Sequence, residues 1–468
     1  MSLGKKIRRV AVERLQGVFD YEITFPDGAD TIIIIAPNGY GKTALLSLIK
    51  DCLSLNLRRT ASHTFQTLEI NFQDGTTWKF DRTLDEERVR YEPSLRHKTV
   101  LDPDWVRFAE LQEQHSWVSM KRYDASGEEV IEDPPHLENL NHRMVLRALE
   151  RVRFLSPESS SMVRDLREGV SLPISEALVK YYHEIAADPR VREMLTAVAP
   201  SAVWSGVEPI ECVFIETQRL LYSKPTSQDG EKGASQEEIL RQVASLSKLL
   251  HKNYSDYAAT SQTLDRSFPN RLIARARDGI SPNPDDLRKS LIGIEKQRAA
   301  LTEAGILFEQ ADNIISTDDD LLPKVVDALQ IYVEDSQEKL RTYDEIFPKI
   351  SVFRELMSSK LRPKKLSIGR DFGASVYRDG ISLKLEGLSS GEKHEFIMLF
   401  KLIFETPSES LVLIDEPEIS LHVVWQLEFM SDLRRIQSAN PFQSIIATHS
   451  PQIFQGFKHL LVDLADQV

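Results

Sequence analysis

The chain has 468 residues, of which 41% are hydrophobic and 28% are charged, and its formal net charge is −13. This length is typical of a protein with two or three structural units, and the acidic balance disfavours a protein that coats nucleic acid non-specifically. The two cysteines, Cys52 and Cys212, have no nearby Cys or His in the sequence, which disfavours a disulfide framework or a zinc site, and no apolar run is long enough to cross a bilayer.

The N-terminal segment is predicted to form strands. Its basic start is not followed by the apolar core of a secretory signal, so the expected compartment is the cytoplasm. Lys6 to Glu13 and Val18 to Phe25 predict strands, and the β-branched run from Thr31 to Ile35 predicts a buried one. Because Ala36 to Thr43 is rich in glycine and Ala44 to Leu55 has helical spacing, the predicted order is strand, loop, helix.

The middle of the chain has a different pattern. Residues 104–205 have a mostly helical, mixed-charge pattern, and Val213 to Glu216 predicts a short strand. Apolar residues then recur at heptad-like spacing between Ile239 and Tyr343, but prolines such as Pro269 interrupt these stripes. We therefore expect a helical hairpin or a small bundle here, not a long coiled coil.

The last part of the chain returns to strands. They are predicted at Leu366 to Gly369, Ala374 to Tyr377, Leu411 to Ile414 and Ser444 to Ala447. Two strand-rich ends separated by helices predict one α/β domain that is split by a helical insertion. The expected boundaries are 1–100 for the first half, 101–350 for the mainly helical insertion and 351–468 for the second half.

A phosphate-binding loop is predicted between the third strand and the first helix. The stretch reads Ala36-Pro37-Asn38-Gly39-Tyr40-Gly41-Lys42-Thr43, which fits G-x-x-x-x-G-K-[ST] with alanine in the first position. Glycines here let backbone amides turn toward the phosphates, and the helix N-terminus faces the same anion. We expect Lys42 to bind the β- and γ-phosphates of ATP and the Thr43 hydroxyl to bind Mg²⁺.

Two carboxylates follow a predicted buried strand. The apolar run from Leu411 to Ile414 leads into Asp415 and Glu416 at the carboxyl end of the strand, where α/β sheets bind ligands. We expect Asp415 to hold Mg²⁺ through water and Glu416 to polarise the attacking water. A strand that ends in Asp-Glu is also common for structural reasons, and the phosphate loop favours the catalytic interpretation.

A second anion-binding device is predicted at the start of a later helix. Ser389, Ser390, Gly391 and Glu392 form a small, hydroxyl-rich loop ahead of Lys393. One chain does not need two such devices for one triphosphate, whereas two chains packed head to tail would each use one from the partner. The structural alternative is a plain serine cap with a glutamate behind it.

A histidine ends the last predicted strand. His449 follows the run from Ser444 to Thr448, and an imidazole there can hydrogen-bond a γ-phosphate and respond to its presence. A lone histidine at a strand end is more often structural, but the three preceding motifs favour a role at the phosphate.

Together and in this order, these pieces resemble the ABC-type ATPases, a group that includes the SMC, RecF and OLD families. The resemblance implies that Ala36 to Thr43 is the Walker A loop, that Ser389 to Glu392 is the signature motif, and that Asp415 and Glu416 are the Walker B pair. It also implies that Ser420-Leu421-His422 is the D-loop, that His449 is the switch histidine, and that Gln218 is the Q-loop glutamine at the metal. The implied fold is an ABC-type P-loop domain split by a helical insertion, with ATP and Mg²⁺ as cofactors.

Four stretches are most similar to the OLD-like ATPases of bacterial anti-phage operons: IIIIAPNGYGKT, LSSGEKHE, LIDEPEISLH and IIATHSPQIF. Within that group the resemblance is greater to the AriA family of PARIS systems than to the PtuA family of Septu systems. It implies a homo-oligomer that holds a separate nuclease effector of the TOPRIM or HNH type, with a phage protein as candidate trigger. We expect no nuclease activity in the chain itself, because OLD nucleases carry a TOPRIM domain after the ATPase and this sequence ends soon after His449.

Three functional hypotheses are consistent with these motifs. The leading hypothesis is an ATP-driven switch in phage defence, with ATP between the phosphate loop of one subunit and the serine-rich loop of its partner. The second is a DNA-repair or DNA-loading ATPase like RecF or SMC, in which DNA is bound by Arg271, Arg275 and Arg277 and by Arg362, Lys364, Lys365 and Arg370. Solvated faces that balance acidic neighbours are the plainer explanation of these charges. The third, the ATPase subunit of a membrane transporter, is least favoured because the helical middle resembles a rod.

Overall fold

The computed structural model describes residues 5–55, 57–84, 116–128, 154–158, 162–167, 169–173, 209–216, 230–278, 283–307 and 322–468. Its contacts divide the chain into two compact units. Unit 1 comprises Met1–Ala29, Ala36–Cys212 and Val462–Val468, and unit 2 comprises Asp30–Ile35 and Val213–Leu461.

The described strands are β1 (Ile7–Leu15), β2 (Phe19–Thr24), β3 (Thr31–Ile35), β4 (Thr67–Phe72), β5 (Thr77–Leu84), β6 (Ser116–Tyr123), β7 (Leu155–Pro157), β8 (Met162–Asp165), β9 (Val170–Pro173), β10 (Cys212–Glu216), β11 (Lys365–Gly369), β12 (Gly373–Arg378), β13 (Ile381–Leu383), β14 (Leu411–Asp415), β15 (Gln443–Thr448) and β16 (Leu461–Asp463).

The described helices are α1 (Lys42–Leu53), α2 (Leu57–Ser62), α3 (Gly230–Asp278), α4 (Pro284–Glu303), α5 (Leu322–Arg341), α6 (Ile346–Lys360), α7 (Ser390–Phe400), α8 (Val423–Ala439) and α9 (Pro451–Phe454). A π-helical turn, Lys401–Glu405, continues α7, and a 3₁₀ turn, Pro417–Ser420, follows β14.

Unit 1 contains an antiparallel sheet with the strand order β2-β1-β4-β5-β6. Its strands alternate in burial, as expected when one face of a sheet packs on a core. In β4, Leu68, Ile70 and Phe72 are buried, and in β5 Trp78 and Phe80 are buried. The rings of Phe72 and Trp78 meet edge to face with centroids 5.0 Å apart. In the same sheet, β1 and β2 confirm the strands that the sequence predicts at Lys6 to Glu13 and Val18 to Phe25.

The described middle of unit 1 contains strands where the sequence predicts helices. The expectation of a mostly helical pattern over residues 104–205 is wrong for the described residues of that range, which form β6, β7, β8 and β9. Strand β6 pairs with β5 along its whole length, from Tyr123 opposite Thr77 to Ser116 opposite Leu84. Strand propensity depends on such neighbours more than on local sequence, so the pattern of this segment alone was misleading.

Unit 2 is built on a parallel sheet. Strand β15 pairs with β14 on one side and with β3 on the other, and β10 lies beyond β14. Every residue of β14 and β15 is buried, which is typical of parallel strands that are covered on both faces. The register places Asp415, Ala447 and Ile34 side by side, so the carboxyl ends of these three strands share one edge.

Helices α3, α4 and α5 form the small helical bundle that the apolar stripes predict. Helix α5 packs against both α3 and α4. Arg271 of α3 donates to both carboxylate oxygens of Asp335 in α5, at 2.5 and 2.7 Å, and Arg275 donates to Glu334 at 3.0 Å. These ion pairs join the two helices.

Helix α3 runs through Pro269, contrary to the expectation that this proline interrupts the stripe. A proline inside a helix removes one backbone donor and crowds the preceding turn. Here Ser267 Oγ and an Arg271 guanidinium nitrogen each donate to the Leu264 carbonyl at 3.0 Å. Side chains thus supply hydrogen bonds around the proline, and ion pairs to α5 lie on both sides of it, from Lys339 to Asp265 and from Arg271 to Asp335.

The three-stranded sheet β11-β12-β13 fits closely against the helical bundle. Gly373 has a φ of 68°, and a Cβ there would lie 2.2 Å from the Val243 carbonyl oxygen of α3. A Cβ at Gly305, just after α4, would lie 2.0 Å from the Ile368 carbonyl oxygen of β11. Since no side chain fits either gap, glycine is required where the bundle meets the sheet.

The predicted fold class is confirmed: an α/β protein whose two strand-rich ends are separated by a helical segment. Within the part of the chain that the structure describes, no helix has the length and apolar content that crossing a membrane requires.

Candidate nucleotide-binding site

The phosphate loop, Ala36–Thr43, connects β3 to α1. Gly39 and Gly41 have φ values of 88° and 73°, in the left-handed region that favours glycine. Gly41 also caps α1 without any side-chain hydrogen bond, and the first turn of α1 contains no acidic residue. The first amides of this helix therefore carry neither a side-chain acceptor at the cap nor a competing negative charge, which suits an anion.

Aromatic side chains of unit 1 hold the centre of the phosphate loop. Tyr21 of β2 donates its hydroxyl hydrogen to the Tyr40 carbonyl at 2.8 Å, and the Phe19 ring stacks on the Tyr40 ring with centroids 5.8 Å apart. Burial, and then the neighbouring Tyr40, raise the pKa of Tyr21 to about 12. Tyr21 therefore keeps its proton at neutral pH and remains a donor to the loop.

Lys42 lies inside the phosphate loop. Its side chain is buried, and Nζ donates to the carbonyls of Ala36 at 2.8 Å and Pro37 at 3.3 Å. Thr43, the next residue, is exposed at the start of α1. The loop thus has an ammonium group and a hydroxyl at the end of a helix, the groups that a triphosphate and its Mg²⁺ require.

The carboxyl end of β14 presents the two predicted carboxylates. Asp415 is buried at the end of the strand, and Glu416 follows with a φ of 50° and a ψ of 55°. The left-handed region is costly for a residue with a side chain, and it persists where the surroundings enforce it. Here the Glu416 amide donates to the Ala447 carbonyl of β15 at 2.8 Å. The Glu416 side chain that follows this turn is partly exposed.

The structure brings Glu416 together with His449. The Nε2 atom of His449 lies 3.6 Å from Oε1 of Glu416, and both side chains are partly exposed. These residues follow adjacent parallel strands, β14 and β15, and β15 pairs with β3, which leads into the phosphate loop. A carboxylate and an imidazole at the same sheet edge can position a water molecule and contact a phosphate.

Glu418, which the sequence analysis did not identify, holds this arrangement. Its carboxylate accepts a hydrogen bond from the Thr448 hydroxyl at 2.8 Å and another from the His449 amide at 2.7 Å. It therefore ties the turn after β14 to the end of β15 and orients the backbone that carries His449. In the sequence, Glu418 is marked only by its place two residues after Glu416. Local patterns do not distinguish it from any exposed acidic residue.

The segment predicted as a D-loop leads into α8. Leu421 is buried, and the His422 Nδ1 accepts from the Val424 amide at 3.4 Å as the helix cap. Large apolar side chains are exposed on both sides of this cap: Ile419, Val423, Val424 and Leu427, each 47–56% exposed. Four such residues within nine positions form a local apolar surface, which we call the α8 patch.

The serine loop, Ser389–Glu392, begins α7 with a complete capping box. The Ser389 Oγ accepts from the Glu392 amide at 3.3 Å, and Glu392 Oε2 accepts from the Ser389 amide at 2.8 Å. Lys364 also contacts Glu392, with Nζ 2.7 Å from each carboxylate oxygen. Both interpretations of this loop therefore remain open: it has the serine cap of the structural alternative and the helix N-terminus of an anion site.

A buried charged cluster lies further along α7. Lys360 Nζ is 2.6 Å from Glu428 and 2.7 Å from Asp432, and its side chain is 1% exposed. Glu395 is also buried, and burial raises its pKa to about 7 against the opposing effect of Lys360. Burial, and next Lys401, lower the pKa of His394 to about 4. No local sequence pattern indicates this cluster, because its members come from α6, α7 and α8.

The candidate Mg²⁺ ligands are Thr43 and Asp415, and Gln218 lies outside the described residues. A hydroxyl and a carboxylate are hard oxygen donors of the kind Mg²⁺ takes beside phosphate oxygens and water. No described residues form a cluster of three or more His, Cys, Asp or Glu side chains able to hold a metal.

Residues 221–454, half of the chain, match a family model described as "AAA domain, putative AbiEii toxin, Type IV TA system". The chain belongs to this ABC-type ATPase family. The matched region contains the serine loop, Asp415, Glu416 and His449. It begins after the predicted phosphate loop, Ala36–Thr43.

One curated relative is Protein ea59 of Escherichia phage lambda. It is 31% identical over 111 residues, which make up 24% of this chain and 21% of the relative. The chain thus spans about a fifth of the length of that relative.

Solved SMC head domains align over most of the chain at low similarity. The Smc head domain of Pyrococcus furiosus, solved with the C-terminal domain of ScpA, is 12% identical with a TM-score of 0.31, covering 96% of this chain and 91% of that one. The SMC head domain of Thermotoga maritima is 10% identical with a TM-score of 0.30, covering 98% and 94%.

Proposed function

We propose that the protein is an ATP-hydrolysing switch: the sensor and scaffold subunit of an anti-phage defence complex that holds and releases a separate nuclease effector. The observation that carries the ATPase part is the 3.6 Å approach of His449 to Glu416 at the edge of a parallel sheet whose strand β3 leads into the phosphate loop. The defence part extends the resemblance of the motifs to the OLD-like ATPases, AriA-type families above all.

Each residue has a distinct role in the proposed reaction. Lys42 binds the β- and γ-phosphates in place of the carbonyls it now contacts, and Thr43 and Asp415 hold Mg²⁺, which supplies charge neutralisation on the phosphates. Glu416 accepts a proton from the attacking water, and His449 donates to the γ-phosphate. Removing one of the last two groups would slow hydrolysis while leaving the phosphate loop able to bind ATP.

The active form is proposed to be a dimer with ATP between two subunits, assembled further into a larger homo-oligomer. The α8 patch supports this assembly, because its exposed apolar side chains lie around the segment that the ABC-type pattern assigns to the subunit interface. The serine loop of one subunit would then meet the triphosphate held by the phosphate loop of its partner. A difference in binding free energy between the ATP and ADP states would shift the equilibrium between the two forms of the switch.

The defence role rests on motif resemblance, on the family and on a phage relative. The family description names a type IV toxin–antitoxin system, and Protein ea59 of Escherichia phage lambda is similar to part of this chain. We infer a cytoplasmic complex, a TOPRIM or HNH nuclease as effector, and a phage protein as trigger. Nuclease activity would belong to the effector and not to this chain.

A DNA-repair or DNA-loading ATPase like RecF or SMC is the second candidate. The basic residues that would favour it are partly committed to carboxylates: Arg271 to Asp335, Arg275 to Glu334 and Lys364 to Glu392. Ion-paired side chains release less binding energy to a phosphate backbone than free ones. A steep decrease of DNA affinity with salt concentration would nevertheless support this candidate.

The deciding experiment is the native mass of the complex purified from its own host, with bound proteins and nucleic acid identified. A homo-oligomer that holds a TOPRIM or HNH protein, and releases it when the trigger and ATP are added, supports the defence switch. A dimer without such a protein, carrying DNA that dissociates at high salt, supports the repair ATPase instead. The variant Glu416→Gln, which we expect to keep ATP bound, prevents loss of the paired state during purification.

A further inference from the structure

We propose that Lys364 is a positioning residue of the serine loop: it neutralises Glu392 so that the loop can accept the triphosphate bound by a partner subunit. This inference rests on the proposed function, and it assigns a specific task to a residue outside all of the recognised motifs.

Lys364 contacts both carboxylate oxygens of Glu392 at short distance. Lys364 Nζ lies 2.7 Å from Oε1 and 2.7 Å from Oε2 of Glu392, and the two side chains are 20% and 12% exposed. Glu392 Oε2 also accepts the Ser389 amide. One carboxylate therefore joins the segment between α6 and β11 to the first turn of α7, and its orientation is set from both sides.

The negative charge of Glu392 would repel a phosphate, and the positive charge of Lys364 offsets it. A glutamate in the first turn suits the helix dipole and completes the capping box, but it places a negative charge where a triphosphate is expected. Burial raises the pKa of Glu392, and the hydrogen bonds from Lys364 and Ser389 outweigh it, so the pKa is below its ordinary value. Glu392 is therefore ionised at neutral pH, and a nearby cation is needed to cancel its repulsion of phosphate.

The phosphate loop has no such requirement. The first turn of α1 contains no acidic residue and carries its own cation, Lys42. The serine loop has an acidic residue in its first turn, and its compensating cation comes from a residue 28 positions away in sequence. An ordinary surface ion pair contributes little to stability, so a large effect of Lys364 on subunit pairing would be specific to this task.

The test is a double-mutant cycle on the full chain. Lys364→Met and Glu392→Gln are made singly and together, because glutamine at this position keeps the capping hydrogen bond while removing the charge. Lys364→Arg tests rescue by a conservative change. Lys365→Met, one residue away and exposed, is the matched control. Three quantities are measured: ATP affinity of the single subunit, ATP-dependent dimerisation by light scattering, and the kcat and KM of hydrolysis.

We expect Lys364→Met to weaken ATP-dependent dimerisation and kcat/KM about tenfold, with ATP affinity of the single subunit unchanged. Lys364→Arg should restore most of this loss, and Lys365→Met should match the wild type. In the Glu392→Gln background, Lys364→Met should change dimerisation by less than about twofold, because the charge it compensates is absent.

Equal losses from Lys364→Met in both backgrounds, or no loss in either, would overturn the proposal. Lower ATP affinity of the single subunit would do so too, since it would indicate a general structural defect. If the wild-type protein binds and hydrolyses ATP without ATP-dependent pairing, the proposed dimeric switch fails first. That outcome is visible in the wild-type control alone, so the two failures are distinguishable.

Discussion

The N-termini of helices α1 and α7 both carry the positive end of a helix dipole, but they differ in their caps and in the charge of their first turns. Helix α1 begins at Gly41 with no side-chain cap and no acidic residue in its first turn, and Lys42 lies within the loop. Helix α7 begins with a full capping box, and its first turn contains Glu392, paired with Lys364. The cap residue of α1 provides no side-chain acceptor, whereas the capping box of α7 bonds the Ser389 and Glu392 amides. Under the proposed function, α1 would bind the nucleotide of its own subunit, and α7 would contribute only when a partner subunit brings one.

The variant Lys42→Ala is the strongest test of this difference between the two helix N-termini. Without the ammonium, the phosphate loop retains its amides but loses its single buried cation, and we expect ATP affinity to fall roughly 100-fold or more. Isothermal titration of the single subunit with ATP and Mg²⁺ measures this, with Lys365→Ala as the exposed-lysine control. Native affinity in Lys42→Ala would mean that ATP is held elsewhere.

Glu416→Gln separates binding from chemistry. The glutamine cannot accept a proton, so we expect turnover to fall on the order of 10²- to 10⁴-fold with ATP binding retained. An ATP-dependent dimer should accumulate, because the nucleotide that holds it is no longer hydrolysed. Phosphate release and light scattering measure the two effects. Turnover at the native rate would remove Glu416 from the role of base.

The buried acid of α7 predicts a pH dependence of stability. Because burial raises the pKa of Glu395 from 4.5 to about 7, the folded state binds its proton more tightly than the unfolded state. Its contribution to stability is complete below pH 4.5 and is lost as the pH rises through 7. The groups that face it are Lys360, which opposes the shift, and Asp432 and Glu428, which add to it.

Glu395→Gln removes this titration. Relative to the wild type, the variant should gain on the order of 3 kcal/mol in its free energy of unfolding between pH 5 and pH 8. Urea titrations at both pH values give the difference, in which the titration of other groups such as His394 cancels. A difference that does not change with pH would mean that Glu395 stays ionised in the fold.

The smallest expected effect is at the cap of α7. Ser389→Ala removes the acceptor of the Glu392 amide and should destabilise the first turn of α7 by about 1 kcal/mol. Hydrogen exchange of those amides should accelerate about fivefold, whereas Ser389→Asp should leave it near the native rate. If exchange in α1 changed equally, the effect would not be local, and the contrast between the two termini would lose its basis.

Some elements were predictable because their signals are local. The phosphate loop is contiguous, and the serine cap is followed three residues later by its glutamate. The runs from Ile32 to Ile35 and from Leu411 to Ile414 are apolar, as is typical of buried parallel strands. The strand content of the described part of 104–205 was not predictable, because β6 becomes a strand by pairing with β5.

The sequence by itself determined the strands of the parallel sheet and the glycine-rich loop after β3, and it predicted which residues would bind a triphosphate, because backbone turns, periodicity and short motifs operate within a few residues. Only the tertiary structure decided which groups meet: His449 with Glu416, Glu418 with Thr448, and Lys364 with Glu392. These partners are between 28 and 33 residues apart in the chain or on different strands, so no local pattern could pair them. Distances between side chains, and the pKa values that depend on burial, exist only once the sheet and helices have packed.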